Sequence, residues 1–418
     1  MQNAFCARFS QMFLALFLGA SWTAFAAVGD WPQWLGPQRN GQSAETGLIK
    51  ELSTNGPPLV WKSKSLGRGY SGVALVGDRI FTMGDGTESC NVLALNRADG
   101  KLVWSTKMGR PGGGGGYPGP RCTPTVDGNS VFALSQHGDL LSVEAATGKE
   151  QWCKNLSKDF AGQMMSGWGY SESPLVDGDK LLCTPGGSKG TVVALNKQSG
   201  EVLWRSKELT DSAAYASLVI AEFGGVRQYV VFTDASVAGI AAADGRLLWK
   251  APRKGDVAVI PTPIISGNLV FVTSGYGVGC NLFKISKAGD MFTAEPVYAN
   301  KTLANHHGGV ILIDGHLYGS NEREWICQNL KTGEIVWRDR GVGKGSVLYA
   351  DGHLFTRAES GKGRIALVEA TPAGYKEKGR FEQPDRAKEN SWPHPVIAGG
   401  RLYIRDQDLL LCYDVKQQ

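Results

Sequence analysis

Pairs of apolar segments joined by a glycine turn and ending in tryptophan recur along this chain, and they constrain its fold more than any other feature. Two apolar runs joined by such a turn are typical of a β-hairpin. The second run ends at Trp104, Trp152, Trp204, Trp249 or Trp337, and Tyr298 and Phe381 take that place in two weaker copies. The turn glycines, about 40–50 residues apart as in repeat proteins, are Gly100, Gly148, Gly200, Gly245, Gly289, Gly333 and Gly374. Because a repeat fold can be long without being divided, the 418 residues do not imply several domains.

A second hairpin is predicted before each of these hairpins. Its turns fall at residues 77–78, 127–128, 177–178, 224–225, 266–267, 314–315, 351–352 and 399–400. Each unit therefore carries four strands, which we name A to D in chain order. Four strands in every 40–50 residues, roughly, indicate one blade of a β-propeller.

The turns also predict how the ring closes. The chain has eight A–B turns but only seven C–D turns, because the last unit stops after residues 409–415. Residues 58–62, before the first unit, have the ending of a D strand with its tryptophan, Trp61. We therefore predict an all-β fold, an eight-bladed β-propeller of four-stranded antiparallel blades, in which the N-terminal strand 58–64 completes the C-terminal blade. The alternative, seven blades with loose ends, would leave an apolar sheet edge unpaired.

Composition and charge narrow the range of partners. A hydrophobic content of 42% permits a large core and excludes wholesale disorder. The formal charge is +5, from 44 basic and 39 acidic residues, and no run of five basic residues occurs. We therefore expect no nucleic-acid partner.

The first residues predict export. Arg8 precedes an apolar stretch that begins at residues 12–18, and Ala24-Phe25-Ala26 fits the rule for signal-peptide cleavage. We therefore divide the chain into a signal peptide, 1–26, and a single propeller domain, 27–418. A short membrane anchor is the alternative, although small and polar residues interrupt the apolar stretch. No cysteine follows where a lipoprotein signal would place one, and no later segment predicts a membrane span. The expected location is periplasmic or secreted.

Cysteine spacing does not determine any disulfide. Seven cysteines follow residue 26, and none forms a CxxC motif, a haem-attachment motif or an adjacent pair. An exported protein can form disulfides, but buried, inert thiols are the expectation here. The pairing therefore stays open for Cys90, Cys122, Cys153, Cys183, Cys280, Cys327 and Cys412.

The repeats resemble the tryptophan-docking motif of the pyrroloquinoline quinone (PQQ) propeller superfamily, roughly Ala-x-Asp-x-x-Thr-Gly-x-x-x-Trp. Residues 94–104, 194–204 and 329–337 are similar to it. The superfamily includes quinoprotein alcohol dehydrogenases and BamB-like outer-membrane assembly scaffolds. The single-domain form, opening with the sequence of residues 31–37, is also similar to secreted PQQ-like propellers of planctomycete-type bacteria. The resemblance implies the propeller fold and leaves the activity open.

Several departures from the superfamily separate this chain from its best-known members. It has no adjacent cysteine pair to pack on the quinone and no haem motif, and the Glu, Asn and Asp calcium ligands of the dehydrogenases cannot be matched residue by residue. BamB-like scaffolds are usually lipoproteins, whose cysteine is missing here. PQQ with Ca²⁺ is therefore a possible cofactor without a recognisable site, and whether the protein is an enzyme stays open.

A ligand site is predicted at the mouth of the central channel. Long D–A connections bring polar, charged and aromatic residues to the beginning of the innermost strands, and function in repeat folds tends to lie on such loops. Cationic groups can bind carboxylates, aromatic faces can stack, and carboxylates can serve acid–base or metal chemistry. The candidate ligand-binding residues are Arg121, Trp168, Tyr170, Glu172, His306, His307, Lys344, Trp392 and His394, with Tyr70 and Tyr215 as wall residues.

Structural alternatives stand beside some of these candidates. Arg121 can bridge blades through carbonyl groups or pair with Glu172, in which case both are structural. His306 and His307 are expected to point to opposite sides of a strand, so that both would not bind one metal ion. One of them with His394 is the metal pair that the sequence leaves possible.

Two functions follow from these observations. The first is an exported binding or scaffold protein that holds an unidentified protein, glycan or small molecule of the cell envelope at its channel mouth. The second is a divergent PQQ-dependent dehydrogenase that oxidises an alcohol or sugar in the periplasm. A monomer is expected in either case.

Overall fold

The apolar runs of the repeats form the strands of an eight-bladed β-propeller in the computed structural model, which describes residues 29–417. The predicted signal peptide lies outside the described residues, as do positions 27, 28 and 418 of the predicted propeller domain. Each blade is a four-stranded antiparallel sheet, and the first strands of several neighbouring blades contact one another beside the central channel. The predicted fold class and blade number are confirmed.

The strands follow the chain from the N-terminal segment through eight blades. The N-terminal segment carries β1 (Gln42–Ser43) and β2 (Leu59–Ser63). Blades 1 to 4 contain β3 (Ala74–Val76), β4 (Arg79–Asp85), β5 (Cys90–Asn96), β6 (Leu102–Gly109); β7 (Thr125–Asp127), β8 (Ser130–Leu134), β9 (Asp139–Glu144), β10 (Glu150–Asn155); β11 (Leu175–Asp177), β12 (Lys180–Cys183), β13 (Val193–Asn196), β14 (Val202–Arg205); and β15 (Val219–Phe223), β16 (Val226–Phe232), β17 (Ser236–Ala241), β18 (Leu247–Pro252). Blades 5 to 8 contain β19 (Ile264–Ser266), β20 (Leu269–Ser274), β21 (Gly279–Ala288), β22 (Met291–Asn300); β23 (Val310–Ile313), β24 (His316–Ser320), β25 (Trp325–Asn329), β26 (Ile335–Asp339); β27 (Gly345–Ala350), β28 (His353–Ala358), β29 (Ile365–Glu369), β30 (Glu377–Phe381); and β31 (Val396–Ala398), β32 (Arg401–Asp406), β33 (Leu409–Asp414). One short helix, α1 (Leu156–Phe160), follows β10.

The N-terminal strand closes the last blade, as the turns predict. Strand β2 pairs antiparallel with β33, with Trp61 opposite Cys412 and Ser63 opposite Leu410. The fourth sheet position of blade 8 is therefore filled from the opposite end of the chain. This pairing covers the edge of β33 that would otherwise stay unpaired and gives blade 8 the same four strands as the other blades.

The repeated tryptophans pack between neighbouring blades. Trp104 of blade 1 lies against Gly148 in the C–D turn of blade 2, and its indole nitrogen donates a hydrogen bond to the Ala145 carbonyl at 3.0 Å. Trp61 lies in the same way against Gly100 of blade 1. Gly148 has φ +73°, and a Cβ there would come within 2.6 Å of the Trp104 ring, so both the backbone and the packing require glycine. The repeated tryptophans therefore have a structural role.

A feature that the sequence does not predict lies inside the ring. We call residues 29–45 the central segment, because this stretch runs through the channel and contacts every blade. It reaches blades 1 to 8 in turn through hydrogen bonds to Leu75, Val126, Ser173, Leu218, Thr262, Leu312, Tyr349 and the backbone amides of Gly399 and Gly400. Within it, β1 adds a parallel strand to the inner edge of β27. The N-terminal part of the chain therefore closes the ring both at its outer edge and at its centre.

The cysteines are all unpaired in residues 29–417, and Cys153 is the exposed one. Burial raises the pKa of the Cys122 thiol to about 12, so it stays protonated and unreactive. The expectation of buried, inert thiols is confirmed for six positions and is wrong for Cys153, which lies on the outer strand β10. No helix in the described part of the chain is long and apolar enough to cross a membrane.

Candidate functional site

The D–A connections converge on one cavity of about 290 Å³ at the mouth of the channel. We call it the mouth cup. It combines aromatic, hydroxyl and charged side chains from all eight blades, and this size lies at the lower limit of small-molecule pockets. Its lining is Trp34, Tyr70, Tyr117, Arg121, Trp168, Ser171, Ser173, Tyr215, Ser217, Val257, Ile260, Tyr276, His306, His307, Lys344, Glu359, Asn390, Trp392 and Pro393.

The central segment forms the floor of the mouth cup. Trp34 borders both the cup and a larger funnel of about 1490 Å³ on the opposite face of the ring. Its indole nitrogen donates a hydrogen bond to the Thr262 hydroxyl at 2.9 Å, and its ring lies 4.7 Å from that of His394. These two contacts hold the indole in place between the mouth cup and the funnel. The cup is therefore a pocket with a floor rather than a stretch of an open channel.

Aromatic rings form a continuous arc around one wall. Trp168 stacks on Tyr117 with 5.5 Å between ring centroids, and Tyr117 lies 4.9 Å from Trp392. Trp392 stacks on His307 at 4.0 Å with an interplanar angle of 13°, and His307 lies 3.7 Å from His306. Because each ring is held by its neighbours, the wall is preorganised for ligand binding.

Arg121 is held by carbonyl groups of two neighbouring loops. Its guanidinium donates to Trp168 at 2.9 Å, Tyr117 at 2.7 Å and Gly114 at 3.4 Å. Burial lowers its pKa from the ordinary value, although an arginine remains charged at neutral pH. Of the two structural alternatives in the sequence, bridging through carbonyls is the one observed. The pairing of Arg121 with Glu172 is wrong, because Glu172 bonds elsewhere.

A charged cluster adjoins the histidine end of this arc. The Lys344 ammonium donates to His306 Nδ1 at 2.6 Å and lies 3.0 Å from Glu322 and 3.3 Å from Glu359. Burial and the lysine charge lower the pKa of His306 to about 4, and burial also lowers that of His307. Burial raises the pKa of Glu359. At neutral pH both histidines are therefore uncharged, and they accept or donate hydrogen bonds as neutral rings.

The two histidines differ from the sequence expectation. They lie in the loop before β23, where their rings face each other at 3.7 Å, rather than on opposite sides of a strand. The alternation rule does not hold because it requires extended strand geometry. Both side chains line the mouth cup.

The structure brings six of the nine candidate residues together in the cup and places three outside it. The six are Arg121, Trp168, His306, His307, Lys344 and Trp392. Tyr170 is buried and donates to the Pro185 carbonyl at 3.0 Å. His394 is buried beneath the cup, where its Nε2 donates to the His307 carbonyl at 2.9 Å.

Glu172 is buried behind the cup wall, where its carboxylate accepts hydrogen bonds from the backbone and hydroxyl of Thr184. Burial raises its pKa to about 7. The folded protein therefore binds a proton here between about pH 4.5 and 7 that the unfolded chain releases. The contribution of Glu172 to the free energy of unfolding is therefore largest below pH 4.5 and decreases as the pH rises from about 4.5 to 7.

The Glu172→Gln variant is expected to gain stability relative to the unmodified protein as the pH rises. The difference in unfolding free energy between the two should increase by about 3 kcal/mol from pH 4.5 to pH 8. Urea unfolding at the two pH values measures it. Glu150→Gln, at an exposed position of β10, is the matched control and should show no such change. A pH-independent difference for Glu172→Gln would contradict a raised pKa.

Four aromatic or acidic residues of the lining were not predicted from the sequence. Trp34 belongs to the central segment, and Tyr117 lies in a glycine-rich connection. Tyr276 and Glu359 come from B–C connections, which open on the same face as the D–A connections. Because both kinds of loop surround one mouth, the sequence could have indicated Tyr276 and Glu359 as lining residues.

Known proteins similar to this chain share its repeats. A family model described as "Outer membrane protein assembly factor BamB" matches residues 88–339, more than half of the chain. The curated relatives include the protein of that name from Alkalilimnicola ehrlichii, 24% identical over 222 residues, which cover 50% of this chain and 50% of the relative. The one from Xanthomonas campestris is 29% identical over 209 residues, covering 49% and 45%. The chain thus spans about half the length of the curated relatives it matches.

Solved structures similar to this chain support its propeller fold but do not indicate its activity. BamB from Moraxella catarrhalis superposes with a TM-score of 0.58 at 13% identity, covering 85% of this chain and 98% of that one. Quinohemoprotein alcohol dehydrogenase from Comamonas testosteroni gives a TM-score of 0.63 at 13% identity, covering 94% and 82%. Proteins with different activities therefore share this architecture, and activity has to be argued from the site.

Proposed function

The chain belongs to the family of the outer membrane protein assembly factor BamB, and from this premise we propose that it is a binding protein of the cell envelope that holds a small, polar, uncharged organic ligand in the mouth cup. The observation that carries the proposal is the floored cup itself. All eight blades contribute side chains to it, and Trp34 closes its base. A cavity with a fixed floor and preorganised walls favours retention of a ligand over passage through the ring.

The charges of the cup favour an uncharged ligand. Arg121 and Lys344 are the cationic groups, and the carboxylates of Glu322 and Glu359 lie 3.0 Å and 3.3 Å from the Lys344 ammonium. The two positive charges are thus balanced by two negative ones. Both cationic groups already have partners, so a ligand carboxylate would have to replace existing interactions. Hydroxyl groups of Ser171 and Tyr215 and the amide of Asn390 supply neutral hydrogen-bonding groups in the same lining.

The quinone and calcium pair of quinoprotein dehydrogenases does not fit this cup. PQQ carries three carboxylates. The terminal nitrogens of Arg121, however, already donate to carbonyl groups, and the Lys344 ammonium is already paired with two carboxylates. Ca²⁺ takes six to eight oxygen ligands, and Glu359 is the one carboxylate among the lining residues. The alternative function, a divergent PQQ-dependent dehydrogenase, therefore has no support from the residues at this mouth.

A location outside the cytoplasm is part of the proposal. The N-terminal apolar stretch with its cleavage sequence supports export, and the relatives are named as outer membrane protein assembly factors. A protein partner in the envelope agrees with that name. Such a partner would contact the outer surface of the ring, since the cup is too small for a folded chain.

Equilibrium binding to a panel of neutral ligands tests the proposal. Neutral mono- and disaccharides and nucleosides, with PQQ plus Ca²⁺ as the anionic comparison, can be followed by tryptophan fluorescence, because Trp34, Trp168 and Trp392 line the cup. We expect at least one neutral compound to bind and PQQ not to be retained after desalting.

A cup-filling variant connects binding to the site. Ser171→Trp places a large ring in the cup and should weaken binding of any positive compound at least about tenfold, the equivalent of one lost packed contact. Ser105→Trp, on the exposed face of β6, should bind as the unmodified protein does. Retention of PQQ in preference to every neutral compound, or equal binding by Ser171→Trp, would contradict the proposal.

A further inference from the structure

We propose that the charged wall of the mouth cup is a binding site for a divalent transition-metal ion, with His306, His307 and Glu359 as its protein ligands. Each residue offers one ligand atom, and the three atoms lie within 4.8 Å of one another. This inference goes beyond the proposed function, since it needs no organic ligand.

The ligand types determine the class of metal. Two neutral imidazoles with one carboxylate suit zinc and its transition-metal neighbours, whereas Ca²⁺ and Mg²⁺ prefer oxygen ligands throughout. Three protein ligands also leave at least one coordination position open. That position would face the cup, because all three side chains belong to its lining.

An unpartnered nitrogen is aimed into the site. His307 Nδ1 is completely covered and makes no hydrogen bond, and it lies 3.9 Å from Glu359 Oε2. That separation is too long for a hydrogen bond. A metal ion bound to both atoms would draw them together, since metal–nitrogen and metal–oxygen bonds of about 2.1 Å bring ligand atoms to about 3–3.5 Å. Buried polar atoms rarely remain without a partner.

A cation already lies among the proposed ligands. The Lys344 ammonium is 2.6 Å from His306 Nδ1 and 3.3 Å from Glu359 Oε2, with Glu322 on its other side at 3.0 Å. Two carboxylates therefore surround the ammonium. A divalent ion could replace the ammonium beside them, because the lysine stem is long enough to move its ammonium towards solvent.

Lys344 therefore competes with the metal ion for the same ligands. Its removal should raise the metal affinity if the cluster binds metal, whereas a cluster with only a structural role would show no such increase. Removing it in Lys344→Met takes away the repulsion between two cations. We expect the metal affinity of Lys344→Met to rise about tenfold or more. Removing a ligand in Glu359→Gln should reduce the affinity by at least about 100-fold, the upper end of the effect seen when supporting residues of metal sites are lost.

Titration of the untagged full-length protein with Co²⁺ and Zn²⁺ decides the matter. We expect one equivalent of Co²⁺ to give a visible d–d absorption band that Zn²⁺ abolishes. His316→Asn, beside the A–B turn of blade 6 on the face of the ring opposite the cup, should bind as the unmodified protein does. His307→Asn provides a second ligand variant if Glu359→Gln fails to fold, with thermal melting as the check on folding.

Two results would overturn the site. One is the absence of a Co²⁺ band at equimolar metal, which would make Lys344 the permanent cation of the cluster. The other is an unchanged affinity in both Glu359→Gln and His307→Asn. Neither result bears on the neutral ligand of the mouth cup, which is tested without added metal.

Discussion

Replacing Arg39 with alanine is expected to lower the free energy of unfolding by about 3–5 kcal/mol, which is the usual cost of removing one partner from a buried charged network. Arg39 belongs to the central segment and is 6% exposed. Its guanidinium donates to Leu218 at 2.9 Å and to Ser173 at 3.0 Å, and also to the Pro174 carbonyl. It thereby links blades 3 and 4 through the channel, and its loss leaves buried carbonyl groups without a donor.

Urea unfolding of Arg39→Ala measures this cost. The matched control is Arg68→Ala, because the Arg68 side chain is 63% exposed and contacts Glu389 at 3.4 Å. Surface pairs of this kind contribute about 0–1 kcal/mol. Equal effects of the two substitutions would mean that the central segment does not connect the blades.

Replacing Asp406 with alanine is expected to have a similar effect, about 3–5 kcal/mol, for a different reason. Asp406 and Arg357 are both completely buried, 3.9 Å apart, and Arg386 donates to the same carboxylate at 2.7 Å. Burial lowers the pKa of Arg357 to about 10, and the Asp406 charge opposes that change. Without the carboxylate, Arg357 of blade 7 and Arg386 of the connection to blade 8 would lose their counter-charge.

Urea unfolding of Asp406→Ala and Asp385→Ala compares the loss of a buried carboxylate with the loss of an exposed one. Asp385 is 40% exposed and pairs with Lys62 at 2.8 Å on the surface, so its loss should cost less than about 1 kcal/mol. Asp406→Asn, which keeps the shape but not the charge, should fall between the two. An Asp406→Ala protein as stable as Asp385→Ala would contradict the role of the buried network.

The ring itself was predictable from sequence because its signals are local and repeated. Each blade has a glycine turn and an aromatic residue at the tryptophan position, so a weak signal in one unit is compensated by the other units. Even the pairing of β2 with β33 follows from an unequal number of turns. The central segment was not predictable, because residues 29–45 contain no alternating pattern and make their contacts with positions as distant as Gly399. Two tryptophans and Arg39 in a stretch rich in glycine and proline were the available signal.

The site was predictable only as a location. D–A connections direct Arg121, Trp168, Lys344 and Trp392 to one mouth, and the structure places them there. Which residues of a loop face the cup depends on its conformation, and Glu172 and Tyr170 turn into the blades instead. Trp34 could not be assigned because it enters the cup from below, on a segment whose course through the ring the repeats do not encode.

Hydrogen exchange of the central segment tests the central claim most directly, namely that this segment is a built-in part of the ring that floors the mouth cup. The amides of Trp31, Gly36, Arg39 and Gly41 all donate backbone hydrogen bonds of 2.7–3.0 Å. We predict that peptides covering residues 31–43 exchange as slowly as the inner strands of the blades, such as β3 to β5. Complete exchange of these peptides within seconds, as for an unstructured tail, would contradict the claim.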